Sequence, residues 1–135
     1  MTAPAGWRFG AAGVATRLRE ASDELETILT ERGLSERARF AARLVAEELV
    51  LNAIQHGGAG IVTMETDPAG DPYRLTFEDD GVPFDPTPPP QPRASDAPGE
   101  VSPRGRGLIL LHGFTRAMEY RLADGHNRLS VLLVE

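Results

Sequence analysis

The chain has 135 residues, of which 41% are hydrophobic and 25% are charged, and its formal net charge is −6. This length predicts one domain with a single core, and the acidic balance argues against direct nucleic-acid binding. Cysteine is absent, which excludes disulfides, thiolate metal sites and a cysteine nucleophile. No signal peptide is predicted, and no stretch approaches the roughly 20 apolar residues that span a bilayer. We therefore expect a cytoplasmic protein that does not bind membranes.

The first half of the chain predicts one short strand followed by two helices. Alternating aromatic residues favour the strand, and apolar residues at helical spacing, in runs that end at glycine, favour the helices. A serine at the expected N-cap position begins the second helix. The predicted strand and helices cover residues 6–12, 15–32 and 35–56.

After residue 60 the hydrophobic period changes from helical to alternating. The first two alternating runs predict an antiparallel pair around a turn rich in proline and glycine. The last two flank Asp124-Gly125, a dipeptide typical of two-residue hairpins. The predicted strands cover residues 61–66, 73–79, 116–123 and 127–134.

A proline-rich segment and a short apolar helix lie between these two pairs. Residues 83–103 hold most of the chain's 11 prolines and almost no core-forming residue. Such a long structureless segment in a compact domain is usually functional or disordered, and we interpret it as a mobile surface loop within the domain. Gly105-Arg106-Gly107 is predicted to open the helix that follows, over residues 108–114.

The first motif with chemical meaning is the pair Glu48 and Asn52. These residues are four positions apart on the second predicted helix, and therefore share one face of it. Polar side chains on an apolar face are costly unless they meet a ligand or each other. A carboxylate and an amide oxygen together suit a hard cation such as Mg²⁺. The neighbouring Glu47 should point about 100° away, toward solvent.

The second motif is Asp79-Asp80-Gly81, at the end of a predicted strand. A carboxylate there can accept a hydrogen bond from an exocyclic amine such as that of adenine. Gly81 permits close approach of the backbone. Taken alone, the run fits an ordinary turn better, because Asp and Gly are common turn residues.

The third motif is Arg104-Gly105-Arg106-Gly107, before the apolar helix. Glycines at a helix start expose backbone N–H groups, and a helix N-terminus suits phosphate oxygens. The two arginines could add charge pairing. The spacing matches neither a Walker motif nor a dinucleotide fingerprint, and glycine before a helix is often only a hinge.

In this order the three motifs resemble those of the Bergerat-fold ATPases, the superfamily of gyrase, histidine-kinase and MutL nucleotide domains. The resemblance covers nearly the whole chain. It is closest to the stand-alone anti-sigma-factor serine kinases, because the ending Pro83-Phe84-Asp85-Pro86 is typical of that branch. It implies a single α+β ATP-binding domain over 1–135. The fold would be a two-layer sandwich, a mixed, mostly antiparallel sheet with helices on one face.

The resemblance also assigns roles to residues of the first two motifs. Glu48 would be the general base toward a serine hydroxyl, or would orient the nucleophile. Asn52 would bind Mg²⁺ through its amide oxygen. Asp79 would take the adenine amino group in a pocket shaped by Gly81. Ser130 falls where the family often has a threonine near the adenine.

For the third motif, the resemblance implies contact with the phosphates of ATP. Gly105 and Gly107 would line the phosphates, with Arg104 and Arg106 beside them. The proline-rich loop, taken as residues 83–104, would form a lid over the nucleotide.

The function that the resemblance implies is an ATP- and Mg²⁺-dependent protein serine kinase. It would phosphorylate a small anti-anti-sigma partner, sequester a sigma factor and form a homodimer. A nucleotide-gated binding switch without phosphotransfer is the alternative, and Glu48 argues mildly for catalysis. A detached histidine-kinase catalytic domain is disfavoured, because no helical pair with a phosphoacceptor histidine precedes the domain. A degenerate fold without nucleotide is disfavoured because Asn52, Asp79 and the glycines are intact.

Overall fold

A computed structural model of the chain describes residues 5–67, 70–90 and 103–135, with the side chains of 103–105 left out. The predicted elements are all present, and apart from the last helix their ends lie within three residues of the expected ones. In chain order they are β1 (Gly6–Phe9), α1 (Val14–Glu31), α2 (Glu36–Gln55), β2 (Val62–Thr66), β3 (Arg74–Asp79), α3 (Pro103–Gly113), β4 (Thr115–Ala123) and β5 (His126–Leu133).

The last helix, α3, begins earlier than the sequence predicted. It starts at Pro103, where proline is favoured because its fixed φ suits a helix and its missing N–H is not needed there. The prediction that Gly105 and Gly107 precede the helix is therefore wrong, since both lie in its first two turns. The predicted lid overlaps α3 at its end, and its residues 91–102 lie outside the described part of the chain.

The five strands form one sheet in the order β1-β2-β3-β5-β4, and each neighbouring pair is antiparallel. The helices pack on one face of this sheet, which confirms the two-layer α+β fold. Asp124 and Gly125 connect β4 to β5 with φ values of 53° and 78°. Two left-handed residues in a two-residue loop make the hairpin turn that matches the twist of the strands.

The hydrophobic core lies between the sheet and the helices α1 and α2. The buried face of α2 is mostly alanine, so α1 packs closely against it with the fully buried Leu25 and Leu29. Burying a leucine side chain contributes about 2 kcal/mol. Among the described residues, no helix is both long and apolar enough to cross a membrane.

Hydrogen bonds at both ends of α2 fix the helix that carries Glu48 and Asn52. Ser35 is its N-cap, as predicted, and the Ser35 Oγ accepts a hydrogen bond from Ala38 N at 3.1 Å. At the other end, His56 N and Gly57 N both donate to Asn52 O at 3.0 Å. These two bonds close the last turn of α2 and fix the backbone of Asn52, the predicted Mg²⁺ ligand.

Candidate functional site

A cavity lies between the last turns of α2, the middle of α3 and the adjacent ends of β3 and β5. Most of its wall is apolar, including Leu49, Val62, Phe77, Leu108 and Leu129. Its polar side chains are Asn52, Asp79, Tyr120 and Asn127. A mainly apolar cleft with a few convergent polar groups is the usual form of a small-molecule site.

Asp79, the last residue of β3, presents its carboxylate to this cavity. The Asp79 Oδ1 accepts hydrogen bonds from Gly81 N at 2.8 Å and from Asn127 Nδ2 at 3.0 Å. The Oδ2 atom accepts none from residues in the described ranges. One oxygen thus fixes the carboxylate, and the other is left to accept a hydrogen bond from a ligand.

Asn127 is a residue of the site that the sequence analysis missed. It pairs with Asp79 across β3 and β5, and it is only 7% exposed. The Asn127 Nδ2 donates to Asp79 and, at 2.9 Å, to Val82 O, while its Oδ1 accepts from Phe84 N at 3.0 Å and Tyr120 Oη at 2.5 Å. Asn127 therefore ties Asp79 to the start of the proline-rich segment.

Ser130 does not reach the cavity. Successive strand side chains point to opposite faces of a sheet, so Ser130 faces away from the side on which Asn127 and Leu129 lie. The Ser130 Oγ accepts a hydrogen bond from Arg74 Nη1 at 2.6 Å on the open face of the sheet, which is the face without helices. The alternation of β5, in which buried Leu129 and Val131 flank Ser130, was the signal that could have identified Asn127 instead.

Gly81 shapes the cavity by close approach of two backbones. A Cβ on Gly81 would come within 2.8 Å of Gly57 O and 3.0 Å of Asp79 Oδ1. Val82 N donates to the same Gly57 O at 2.9 Å. The turn after α2 is thereby closed onto the end of β3, and only glycine fits between them.

Glu48 and Asn52 lie against the N-terminal part of α3. A Cβ on Gly107 would overlap the Glu48 Oε2 and would come within 3.5 Å of Asn52 Nδ2. Both side chains therefore share the face of α2 that meets α3, as their spacing predicted. Glu47 is exposed and points elsewhere, also as predicted.

Burial raises the pKa of the Glu48 carboxyl, and the negative charge of the adjacent Glu47 raises it further. A carboxylate with a raised pKa holds a proton more strongly, which suits a general base.

The residues of the third motif lie within the first two turns of α3, where they occupy different positions. In a helix that begins at Pro103, the backbone N–H groups of the first turn have no acceptor within the helix. Gly107 lies further along the helix, and because it has no side chain it allows Glu48 to lie close to α3. Arg106 is exposed, and the side chain of Arg104 lies outside the described residues.

The start of the proline-rich segment is attached to the cavity wall. Phe84 and Pro86 both line the cavity. His112 Nε2, on α3, lies 2.9 Å from Pro86 O, so this nitrogen carries the proton that it donates. Together with the bond from Phe84 N to Asn127, this contact makes residues 84–86 part of the wall.

The residues present fit an adenine nucleotide. The free Asp79 Oδ2 suits an exocyclic amine, and the apolar wall suits a purine ring. The N–H groups at the start of α3 suit phosphates. No three His, Cys, Asp or Glu side chains converge on a metal position in the part of the chain that the structure describes. Mg²⁺ needs only one or two protein ligands when phosphates and waters complete its shell, and Asn52 beside Glu48 meets that need.

Comparison with known proteins agrees with this geometry. The profile of the histidine kinase-like ATPase domain family matches residues 12–133, a span that contains all three motifs. The chain is also similar to the serine/threonine-protein kinase BtrW of Bordetella bronchiseptica (strain ATCC BAA-588 / NCTC 13252 / RB50). The two are 29% identical over 121 residues, which cover 87% of this chain and 85% of the relative.

Proposed function

The chain belongs to the histidine kinase-like ATPase domain family, and on that basis we propose that it is an ATP- and Mg²⁺-dependent protein serine kinase. An ATPase domain implies ATP binding, and its relative BtrW is named as a serine/threonine-protein kinase. The protein substrate would be a small anti-anti-sigma partner. The kinase would sequester a sigma factor when that partner is phosphorylated or absent, and it would act in the cytoplasm as a homodimer.

The observation that carries this proposal is the position of Glu48 relative to the cavity. Its carboxylate lies against Gly107, beside Asn52, which lines the cavity that contains Asp79. The proposed general base thus lies beside the proposed metal ligand Asn52, and Asn52 lines the same cavity as Asp79, the carboxylate proposed to recognise adenine. This is the set that a phosphoryl-transfer site needs, since such sites act mainly by positioning and electrostatics.

Each side chain would perform one part of the reaction. Asp79 would orient the adenine, and Asn52 would hold Mg²⁺, which supplies charge neutralisation at the phosphates when bound. Glu48 would accept the hydroxyl proton of the substrate serine while the serine oxygen bonds to the γ-phosphorus of ATP. The bond from that phosphorus to the oxygen of ADP breaks in the same step.

The proposal is tested with radiolabelled ATP and the cognate anti-anti-sigma protein. We expect the parent to transfer phosphate to a serine and Glu48→Gln to lose the transfer by at least about a hundredfold. ATP affinity, measured by calorimetry, should be nearly equal in both, because the base acts on the hydroxyl. Glu47→Gln is the matched control, since it removes the adjacent but exposed carboxylate and should retain transfer.

Two results would change the conclusion. If the parent binds ATP but transfers no phosphate to its partner, the protein is a nucleotide-gated binding switch. If calorimetry detects no ATP binding at millimolar concentration, the nucleotide site itself is wrong. Asp79→Asn should weaken ATP binding far more than it lowers the melting temperature. This result would separate recognition of adenine from an effect on folding.

A further inference from the structure

The turn between α2 and β2 forms part of the cavity wall, yet its sequence gives it little rigidity. Residues 57–60 are Gly-Gly-Ala-Gly, and Gly58 has a φ of 65°. Glycine loses more conformational freedom on folding than any other residue. Gly57 lines the cavity, so the shape of the cavity depends on bonds that fix this turn.

Besides the bond from Gly57 N to Asn52 O, three sets of hydrogen bonds hold the turn. Ala59 N donates to Ala53 O at 2.9 Å, which anchors the turn to the end of α2. On the cavity side, Val82 N donates to Gly57 O. On the outer side, the Asp80 Oδ1 accepts both Gly60 N at 2.8 Å and Ile61 N at 3.0 Å.

Asp80 makes these bonds without being part of the cavity. It follows Asp79 directly, but its side chain is exposed and it is absent from the cavity lining. The two backbone N–H groups lower the pKa of the Asp80 carboxyl, because they favour its charged form. Hydrogen bonds to a charged acceptor are stronger than neutral ones.

We propose that Asp80 is a positioning residue for nucleotide binding. By holding Gly60 and Ile61 from outside, it keeps Gly57 against Gly81 and so fixes the wall beside Asp79. This inference rests on the proposed function, because the cavity is taken to bind the adenine of ATP. It assigns separate tasks to the two adjacent carboxylates, since Asp79 faces the ligand and Asp80 secures the wall.

The test compares ATP affinity in the parent, Asp80→Ala, Asp80→Asn and Asp71→Ala. Asp80→Ala should weaken ATP binding about tenfold, which corresponds to about 1.4 kcal/mol. Asp80→Asn should retain most of the affinity, because its amide oxygen still accepts both N–H groups. Asp71 is the matched control, since it accepts Tyr73 N at 2.9 Å in the turn before β3, and Asp71→Ala should bind ATP as the parent does.

Hydrogen exchange of the Val82 amide gives a second readout that general loss of stability would not mimic. In Asp80→Ala this amide should exchange faster relative to the core amide of Val131, because the turn no longer holds Gly57 in place. The ratio should not change in Asp71→Ala.

Parent-like ATP affinity in Asp80→Ala, or an equal loss in Asp71→Ala, would overturn the inference. An unchanged Val82 exchange ratio in Asp80→Ala would do the same. If the parent itself binds no ATP, the proposed function fails, and the exchange ratio still decides whether Asp80 secures the turn.

Discussion

The carboxylate of Glu48 packs against Gly107, so that a Cβ at that position would require the Glu48 side chain to move. This contact brings the proposed base to the beginning of the helix that is proposed to bind phosphates. It also gives Gly107 a packing role, because the absence of a side chain there lets Glu48 and Asn52 lie close to α3.

Substitution of Gly107 by alanine should separate stability from activity. Alanine is about 1 kcal/mol better than glycine inside a helix, and the overlapping atom is the end of a flexible side chain. The melting temperature should therefore be unchanged or higher. Phosphate transfer should fall about a hundredfold, because the base is displaced. Gly113→Ala is the control, since a Cβ there meets nothing within 4 Å. Equal transfer by both variants would contradict the contact.

The raised pKa of Glu48 predicts a pH-dependent effect on stability. Because the pKa is higher in the folded protein, the charged carboxylate opposes folding at neutral pH, and this cost disappears as pH falls below the unfolded value. Glu48→Gln should therefore melt at a higher temperature than the parent at pH 7, with the difference vanishing in acid. Glu119→Gln, at an exposed carboxylate of β4, controls for the loss of one negative charge. A lower melting temperature for Glu48→Gln at pH 7 would show that the carboxylate is favourably paired.

Asn127 and Ser130 should differ sharply when each is replaced by alanine. Asn127→Ala removes buried hydrogen bonds to Asp79 and Phe84, and should cost about 2 kcal/mol of unfolding free energy. ATP affinity should fall at least about tenfold, because Asp79 loses a bond that fixes its carboxylate. Ser130→Ala should leave ATP affinity unchanged, since its hydroxyl faces the open side of the sheet. Calorimetry and urea unfolding of the two variants test this assignment, and a loss of ATP affinity in Ser130→Ala alone would reverse it.

Removal of the Ser35 cap should destabilise the protein without changing the site. Ser35→Ala leaves Ala38 N without its acceptor and should cost about 1 kcal/mol. The cap lies at the far end of α2 from Asn52, so ATP affinity should be unchanged once both proteins are fully folded. Ser35→Asp, which restores an acceptor at the cap, should recover the stability. Its failure to do so would show that Ser35 acts through other contacts.

The sequence predicted those features that depend on local pattern. Apolar spacing located α1 and α2, and alternation together with Asp124-Gly125 located the last hairpin. The positions of Glu48 and Asn52 on one helix face followed from helical geometry alone. These predictions required only the period of the backbone and the preferences of single residues.

The features that sequence analysis missed depend on tertiary contacts or on a backbone rule. The start of α3 at Pro103 follows from the preference of proline for the first helical position, although no apolar pattern extends that far. Ser130 was assigned from the family resemblance, and the alternation of β5, which places Asn127 on the inner face, was not used. The bonds of Asp80 to Gly60 and Ile61 join segments 19 or 20 residues apart, and no local pattern indicates them.

The two-residue hairpin at Asp124-Gly125 affects a cavity that it does not line. It sets the register of β4 on β5, in which Tyr120 lies opposite Leu129 and the Tyr120 hydroxyl donates to Asn127. Because strand side chains alternate, a shift of β4 by one residue would turn Tyr120 away from the cavity. Lengthening this turn by one residue would therefore remove a hydrogen bond from the amide that holds the Asp79 carboxylate. The length of a distant hairpin is thus expected to act on ATP affinity through a side chain of the edge strand.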